Sequence, residues 1–225
     1  MAQDPASQRH FAADLEQLKH RLLLMGGLAE ERVRRAVHGL VERDASAFDD
    51  VIAGDDEVNR YQLEIDDRAF KLLALHQPMA GDLRTIVAAV KINSDLERVG
   101  DLAVNIAEAG LRYLAHQPVK PLVDIPRMAM LAQAMLHDAL DAFVSGDVAA
   151  AQRVLDRDDQ LDSLKNQVFR ELLTYMLGDT QTVEPGIDLI LVSRHLERVG
   201  DHATNIAEDV IFIVAARDVR HHIDQ

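Results

Sequence analysis

The segment Leu96-Glu-Arg-Val-Gly-Asp-Leu-Ala-Val-Asn-Ile-Ala-Glu108 returns as Leu196-Glu-Arg-Val-Gly-Asp-His-Ala-Thr-Asn-Ile-Ala-Glu208, with 11 of 13 positions identical at an offset of 100. Upstream, Asp44, Val51, Ile52, Asp55, Asp56 and Val58 match Asp147, Val154, Leu155, Asp158, Asp159 and Leu161 at an offset of 103. The change of offset falls around Pro78 and the 178–185 turn, where chain length is cheap to alter. An internal repeat constrains a fold more than any local propensity does, because each copy must adopt the same supersecondary unit. The composition break at His116-Gln-Pro-Val-Lys-Pro121 places the boundary, giving units 1–117 and 118–225.

Within each unit the apolar residues recur at three- and four-residue intervals, as in Leu63, Ile65, Ala69, Phe70, Leu72 and Leu73, or Ile86, Val87, Val90, Leu96, Val99, Ala103 and Ile106. That is the period of a helix with one buried side. No alternating run bounded by Asn-Gly or Asp-Gly signals a hairpin. Proline interrupts helix interiors, and its six occurrences divide the chain into helices over roughly 7–43, 45–76, 81–116, 125–145, 147–177 and 186–217. Gly26-Gly27 and Gly54 are candidate kinks. The expected fold is all-α, a tandem of two pseudo-symmetric three-helix bundles with six long helices.

The balance of 24 Lys and Arg against 38 Asp and Glu leaves a formal charge of −14. Such acidity argues against nucleic acid and against a bare anionic membrane, both of which are bound through basic side chains. The absence of cysteine excludes disulfides, thiolate metal sites and a cysteine nucleophile. The polar start of the chain has no leader pattern and no stretch is apolar enough to span a bilayer, so a cytoplasmic location is expected.

The acidic residues are patterned. Glu97, Asp101, Asn105 and Glu108 share one side of the third helix, and Glu197, Asp201, Asn205 and Glu208 repeat the stripe. Asp55-Asp56 and Asn59 in the second helix correspond to Asp158-Asp159 and Asp162. Folding the second helix back on the third brings each pair of stripes to one level of its bundle. Carboxylates gathered without equal numbers of cations repel one another unless protons or a metal neutralise them. All-oxygen donors suit magnesium, calcium, manganese or iron better than copper or zinc. Gly100 and Gly200, inside helices where glycine costs about 1 kcal/mol, would admit a close neighbour. The competing expectation is a solvated face with Arg98 and Arg198 supplying local ion pairs.

Other features point to structure. His195 and His202 flank the second stripe where the first has Asp95 and Leu102, and both are expected at an edge. His221-His222 falls in a polar tail. Met128, Met130 and Met135 are expected as core filler, and Tyr61, Tyr113 and Tyr175 are too scattered to form a stacking platform. No Glu has a His three residues later, as a di-iron oxidase would need, and there is no phosphate loop, dinucleotide turn or nucleophile elbow. No enzyme is therefore expected.

The chain also resembles a known family. Met25-Gly26-Gly27, Gly54-Asp55-Asp56-Glu57-Val58-Asn59, Gln77-Pro78-Met79-Ala80-Gly81-Asp82-Leu83-Arg84, Leu96-Glu-Arg-Val-Gly-Asp101, Leu196-Glu-Arg-Val-Gly-Asp-His202 and Arg217-Asp-Val-Arg-His221 are similar, in order and spacing, to the PhoU family of phosphate-specific transport system accessory proteins. The resemblance implies two three-helix bundles and metal clusters of divalent or trivalent ions such as iron, manganese or magnesium. Carried over by motif, the ligands are Asp158, Asp162, Glu197 and Asp201 in the second unit and Asp55, Asn59, Glu97 and Asp101 in the first. The neutral amide at Asn59 makes the first site the weaker one. It further implies a non-enzymatic negative regulator of phosphate uptake and of the phosphate-starvation response, bridging the transporter ATPase and a phosphate-sensing histidine kinase, acting as a homodimer and meeting the membrane only through those partners. Metal storage and metal-dependent phosphoester hydrolysis are the alternatives.

Overall fold

Asp44 and Asp147, equivalent residues of the two repeats, each begin a short helix in the same way. The Asp44 carboxylate accepts the backbone N–H of Ser46 at 2.9 Å, and Asp147 accepts those of Ala149 and Ala150 at 2.9 and 3.0 Å. Both therefore satisfy donors that a helix start leaves unpaired. The residue before each cap has a left-handed backbone, φ 67° at Gly146 and φ 55° at Arg43. Arg43 lacks glycine's freedom there, but its guanidinium bonds the Leu114 and His116 carbonyls at 2.9 and 2.7 Å and lies over the Tyr113 ring.

A computed structural model describes residues 5–215. Its helices are α1 Pro5–Glu42, α2 Ala45–Ala53, α3 Asp55–His76, α4 Gly81–Leu114, α5 Asp124–Ser145, α6 Val148–Leu155, α7 Asp158–Gly178 and α8 Val183–Ala215, with one 3-10 turn at Thr180–Thr182. Among the described residues there is no strand. The six expected helices are all present. The second is bent into α2 and α3, and the fifth into α6 and α7.

Each bend is held by an arginine. At Gly54 the buried Arg32 of α1 donates to the carbonyls of Val51, at 3.1 Å, and Gly54, and pairs with Glu57 at 3.5 Å. A Cβ at Gly54 would overlap that guanidinium. In the second half the arginine sits in the bend itself, where Arg157 reaches Asp138 of α5 at 2.5 Å. Gly26-Gly27, by contrast, leaves α1 unbroken. Gly26 instead lets Leu140 of α5 press against the α1 backbone.

In the first half α3 packs on α1 and α4; in the second, α7 packs on α5 and α8. The halves are joined through α4 against α8 and α1 against α5, so one continuous apolar core runs through both. Burying each large aliphatic side chain contributes about 1.5–3 kcal/mol. The α4–α8 pair is antiparallel: Lys91 meets Asp209 at 2.8 Å, Asn205 meets Asp95 at 3.2 Å and Arg112 meets Asp188 at 2.9 Å. The members of each pair stand equally far from Gly100 and Gly200, on opposite sides, which places those glycines at the centre of the pseudo-twofold relation.

Four expected core positions face outward, Val87 of α4 at 42% among them. Leu63 is 69% exposed, Phe70 63% and Met130 67%. Ile65, Ala69 and Leu72 carry the buried stripe of α3, and Met128 and Met135 that of α5. In each case a hydrophobic side chain lies beside the buried stripe and not in it. The His221-His222 pair lies outside the described residues.

Candidate functional site

The two acidic groups lie where α3 meets α4 and where α7 meets α8. Helix contact is tight at both places because Gly100 and Gly200 lack a side chain. A Cβ on Gly100 would stand 3.1 Å from Val58, and one on Gly200 would collide with Leu161. Val58 and Leu161 are buried residues one turn into α3 and α7, so the first turns of those helices are held beside Glu97, Asp101, Glu197 and Asp201. Helix N-termini favour acidic side chains, and Asp55-Asp56 and Asp158-Asp159 occupy them.

In the second group Asp158, Asp162, Glu197 and Asp201 converge. Loss of solvent, followed by the charges of Glu197 and Asp158, pushes the Asp201 carboxyl up to about 6. Burial and then Asp162, Asp159 and Glu197 raise Asp158 as well. A cation already sits among them: the Lys165 ammonium donates to Asp162 at 2.8 Å and to Glu197 at 2.6 Å. Burial opposes the charged form of Lys165, but these two bonds hold its pKa above the ordinary lysine value. Lys165 is the residue the sequence did not single out; its position three residues after Asp162, on the same face of the helix, was the available signal.

The first group is less charged. Gln62 stands where the repeat has Lys165, and Asn59 where it has Asp162, so an ion pair has become two neutral amides. Asn59 donates its amide to Asp55 at 2.9 Å. Arg98 lies 3.1 Å from Asp101 and 3.5 Å from Glu97. Glu97 is still raised, by burial first and then by Asp101 and Asp55. The sequence expectation of local arginine pairs thus holds for Arg98 and fails for Arg198, which has no ion pair among the described residues.

The histidines are not edge residues. His202 has only 15% of its side chain exposed, and its Nδ1 lies 2.8 Å from Asp95 in the other half. It stands near enough to Glu97 and Asp201 to stabilise the charged form of both. His195 is half-buried, and its Nδ1 has no hydrogen-bond partner among the described residues.

As donors, both groups offer oxygen only, from carboxylates and one amide, and burial first, then mutual repulsion, raises the carboxyls of Asp158, Asp201 and Glu97. That chemistry fits a hard or borderline cation. Among the described residues no three acidic or histidine side chains are already arranged about a point as a bound ion would require. In the second group Lys165 would have to withdraw from Asp162 and Glu197 to free them as ligands.

Comparison with known proteins agrees with the duplication. The family model described as "PhoU domain" matches twice, over residues 22–110 and 125–210. The chain is 42% identical over 212 residues to the phosphate-specific transport system accessory protein PhoU homolog of Caulobacter vibrioides, covering 94% of this chain and 92% of that protein. It is 35% identical over 211 residues to the Serratia marcescens protein named phosphate-specific transport system accessory protein PhoU, covering 94% and 87%. The crystal structure of PhoU from Pseudomonas aeruginosa superposes with a TM-score of 0.87 at 37% identity, over 92% of this chain and 100% of that one. That of the phosphate transport system regulatory protein PhoU from Streptococcus pneumoniae gives 0.85 at 28% identity, over 93% and 99%.

Proposed function

The chain belongs to the PhoU family, and on that premise we propose that it is a cytoplasmic, non-enzymatic negative regulator of phosphate uptake and of phosphate-starvation signalling. In this reading it contacts the ATPase subunit of a phosphate ABC transporter and a phosphate-sensing histidine kinase, and reaches the membrane only through them. The observation that carries the reading is the agreement of relatives named as transport accessory proteins over nearly the whole chain. Two matched stretches within one chain support the division into units 1–117 and 118–225. Their shared core suits an adaptor: two similar surfaces are kept at fixed separation. No helix among the described residues is long and apolar enough to cross a membrane, which is compatible with that role.

In the same reading, Asp158, Asp162, Glu197 and Asp201 hold metal in the second unit, and Asp55, Asn59, Glu97 and Asp101 hold it more weakly in the first. Bound cations would neutralise the facing carboxylates and fix the spacing of α3 from α4 and of α7 from α8. The exposed apolar residues Leu63, Phe70, Leu173 and Leu177 support association into a homodimer.

The test is complementation. In a bacterium deprived of its own family member, this chain is expected to lower phosphate uptake and switch off a starvation-responsive reporter in phosphate-rich medium. Uptake and reporter output unchanged by its expression would overturn the regulatory role.

A further inference from the structure

The pseudo-twofold relation between α4 and α8 holds for backbone and core but not for charge. From residue 86 to 100 and from 186 to 200 the sequence of buried, half-buried and exposed positions is the same. Yet Ser94 and Asp95 are matched by Arg194 and His195, and the residue equivalent to Arg112 is Phe212. One end of the seam therefore carries Lys91, Asp95, Glu208 and Asp209 around a groove of about 360 Å³. The other end carries Arg112, Arg194 and Arg198 around His195.

Arg60, Arg127, Arg153 and Arg170, like Arg194 and Arg198, lack ion pairs among the described residues, but Arg194, Arg198 and Arg112 are grouped around one point, His195. Arg98, the counterpart of Arg198, is occupied by Glu97 and Asp101. Arg198 pairs with neither Glu197, which is bonded to Lys165, nor Asp201, three residues further on. Arg194 and Arg198 are exposed, one helical turn apart on the same face of α8, and neither makes an ion pair among the described residues. Arg112, across the seam on α4, is tied to Asp188 through Nε, with 54% of its side chain still exposed. Glu108, exposed one turn before Arg112 at the border of the patch, makes no ion pair with it among the described residues. The field of the cluster is felt inside the protein. Burial, and then Arg198, Arg194 and Arg112, hold the half-buried His195 below the ordinary histidine pKa. A chain with a formal charge of −14 has ample acid to neutralise three arginines, but it leaves these two uncovered.

We propose that Arg194 and Arg198, with Arg112 across the seam, form an electropositive docking surface for an acidic segment of a partner protein. Charge complementarity selects the occupant: guanidinium groups pair two-pronged with carboxylates, and an isolated basic patch on an acidic body both attracts such a segment and sets its orientation. Arg194 and Arg198 are exposed one turn apart, a spacing along the helix that an extended acidic chain can follow. The surface borders the second carboxylate group, whose Glu197 and Asp201 lie one turn or less from Arg198, and it requires no metal.

The test uses the full-length chain and a fluorescent octaglutamate peptide, followed by anisotropy at low and moderate salt. R194E/R198E is expected to weaken binding by about tenfold or more, while R153E/R170E, with the same change of net charge at exposed sites on α6 and α7, leaves it near the unaltered value. Should R194E/R198E lose its helical signal, R194Q/R198Q takes its place. Equal losses in both reversals, or no loss, would overturn the proposal. So would inorganic phosphate displacing the peptide completely in a manner dependent on the same arginines, since that would make the patch a small-oxyanion site. The readout contains no transport component, so its failure is distinguishable from failure of the regulatory role.

Discussion

His202 on α8 lies 2.8 Å from Asp95 on α4, a contact between the two halves whose symmetry equivalent, His195 facing Leu102, has no such bond. The pair is largely shielded, with 15% and 16% of the two side chains exposed. Replacing His202 with leucine, the residue its repeat uses, leaves Asp95 with the Asn205 amide alone among the described residues. We expect a loss of about 1–2 kcal/mol, and a coupling near 1 kcal/mol in a double-mutant cycle with Asp95→Asn. Urea unfolding measures both, and a coupling of zero would show that the contact is incidental.

Lys165→Gln copies the first half's Gln62 into the second group. With the ammonium gone, Asp162 and Glu197 are freed and the carboxylates repel more strongly. Manganese affinity at the second site should rise at least severalfold, while the metal-free protein becomes less stable. Electron paramagnetic titration reads the first quantity and thermal unfolding the second. Affinity unchanged by the substitution would mean that the lysine does not compete with metal.

Glu197→Gln/Asp201→Asn is expected to abolish the tighter manganese-binding phase, and Glu97→Gln/Asp101→Asn only a weaker one. Retained binding in both variants would remove the carboxylate groups as ligands and leave them as charged surfaces.

The raised carboxyls also give a pH dependence with a definite sign. A group whose folded pKa lies above its unfolded value holds its proton more tightly when folded, so its contribution is full at low pH and lost as pH rises through the folded pKa. For Asp201 the window runs from the ordinary 3.8 to about 6. Between about pH 4 and 6 the metal-free protein should therefore lose more stability than Asp201→Asn does, in urea titrations at each pH. Parallel curves would show that Asp201 titrates normally.

Two glycines should respond oppositely to alanine. A Cβ at Gly27 meets nothing within 4 Å, so Gly27→Ala should stabilise by about 0.5–1 kcal/mol through helix propensity alone. A Cβ at Gly110 would enter the ring of Phe48, which is fully buried and has no room to retreat. Gly110→Ala should therefore cost about 1–3 kcal/mol. Melting temperatures of the two variants decide; a shift of the same sign in both would contradict the packing described.

Much of this arrangement is legible in the sequence because it follows from distances along the chain. The repeat, the prolines and the helical period define the helices, and the turn after His76 brings Asp55 and Asn59 to the level of Glu97 and Asp101. What periodicity misses are relations between distant elements. Asp95 and His202 are 107 residues apart, and only the α4–α8 register joins them. Lys165 reads as a surface lysine until α7 is laid on α8 and its ammonium falls against Glu197. Leu63 and Phe70 fit an apolar stripe on paper, but α1 and α4 cover only the face carrying Ile65, Ala69 and Leu72.

The antiparallel seam of α4 and α8 also bears on how such a chain can be descended. One half on its own would leave its long central helix uncovered and could bury it only against a second, identical molecule, in the relation the two halves now have. In such a self-paired ancestor every substitution appears on both sides of the axis at once. An aspartate at one position and a histidine at its equivalent, as at 95 and 195, are then unattainable, and so is a basic patch at only one end. Two copies joined in one polypeptide are free of that restriction, and each side can carry its own chemistry on the same scaffold.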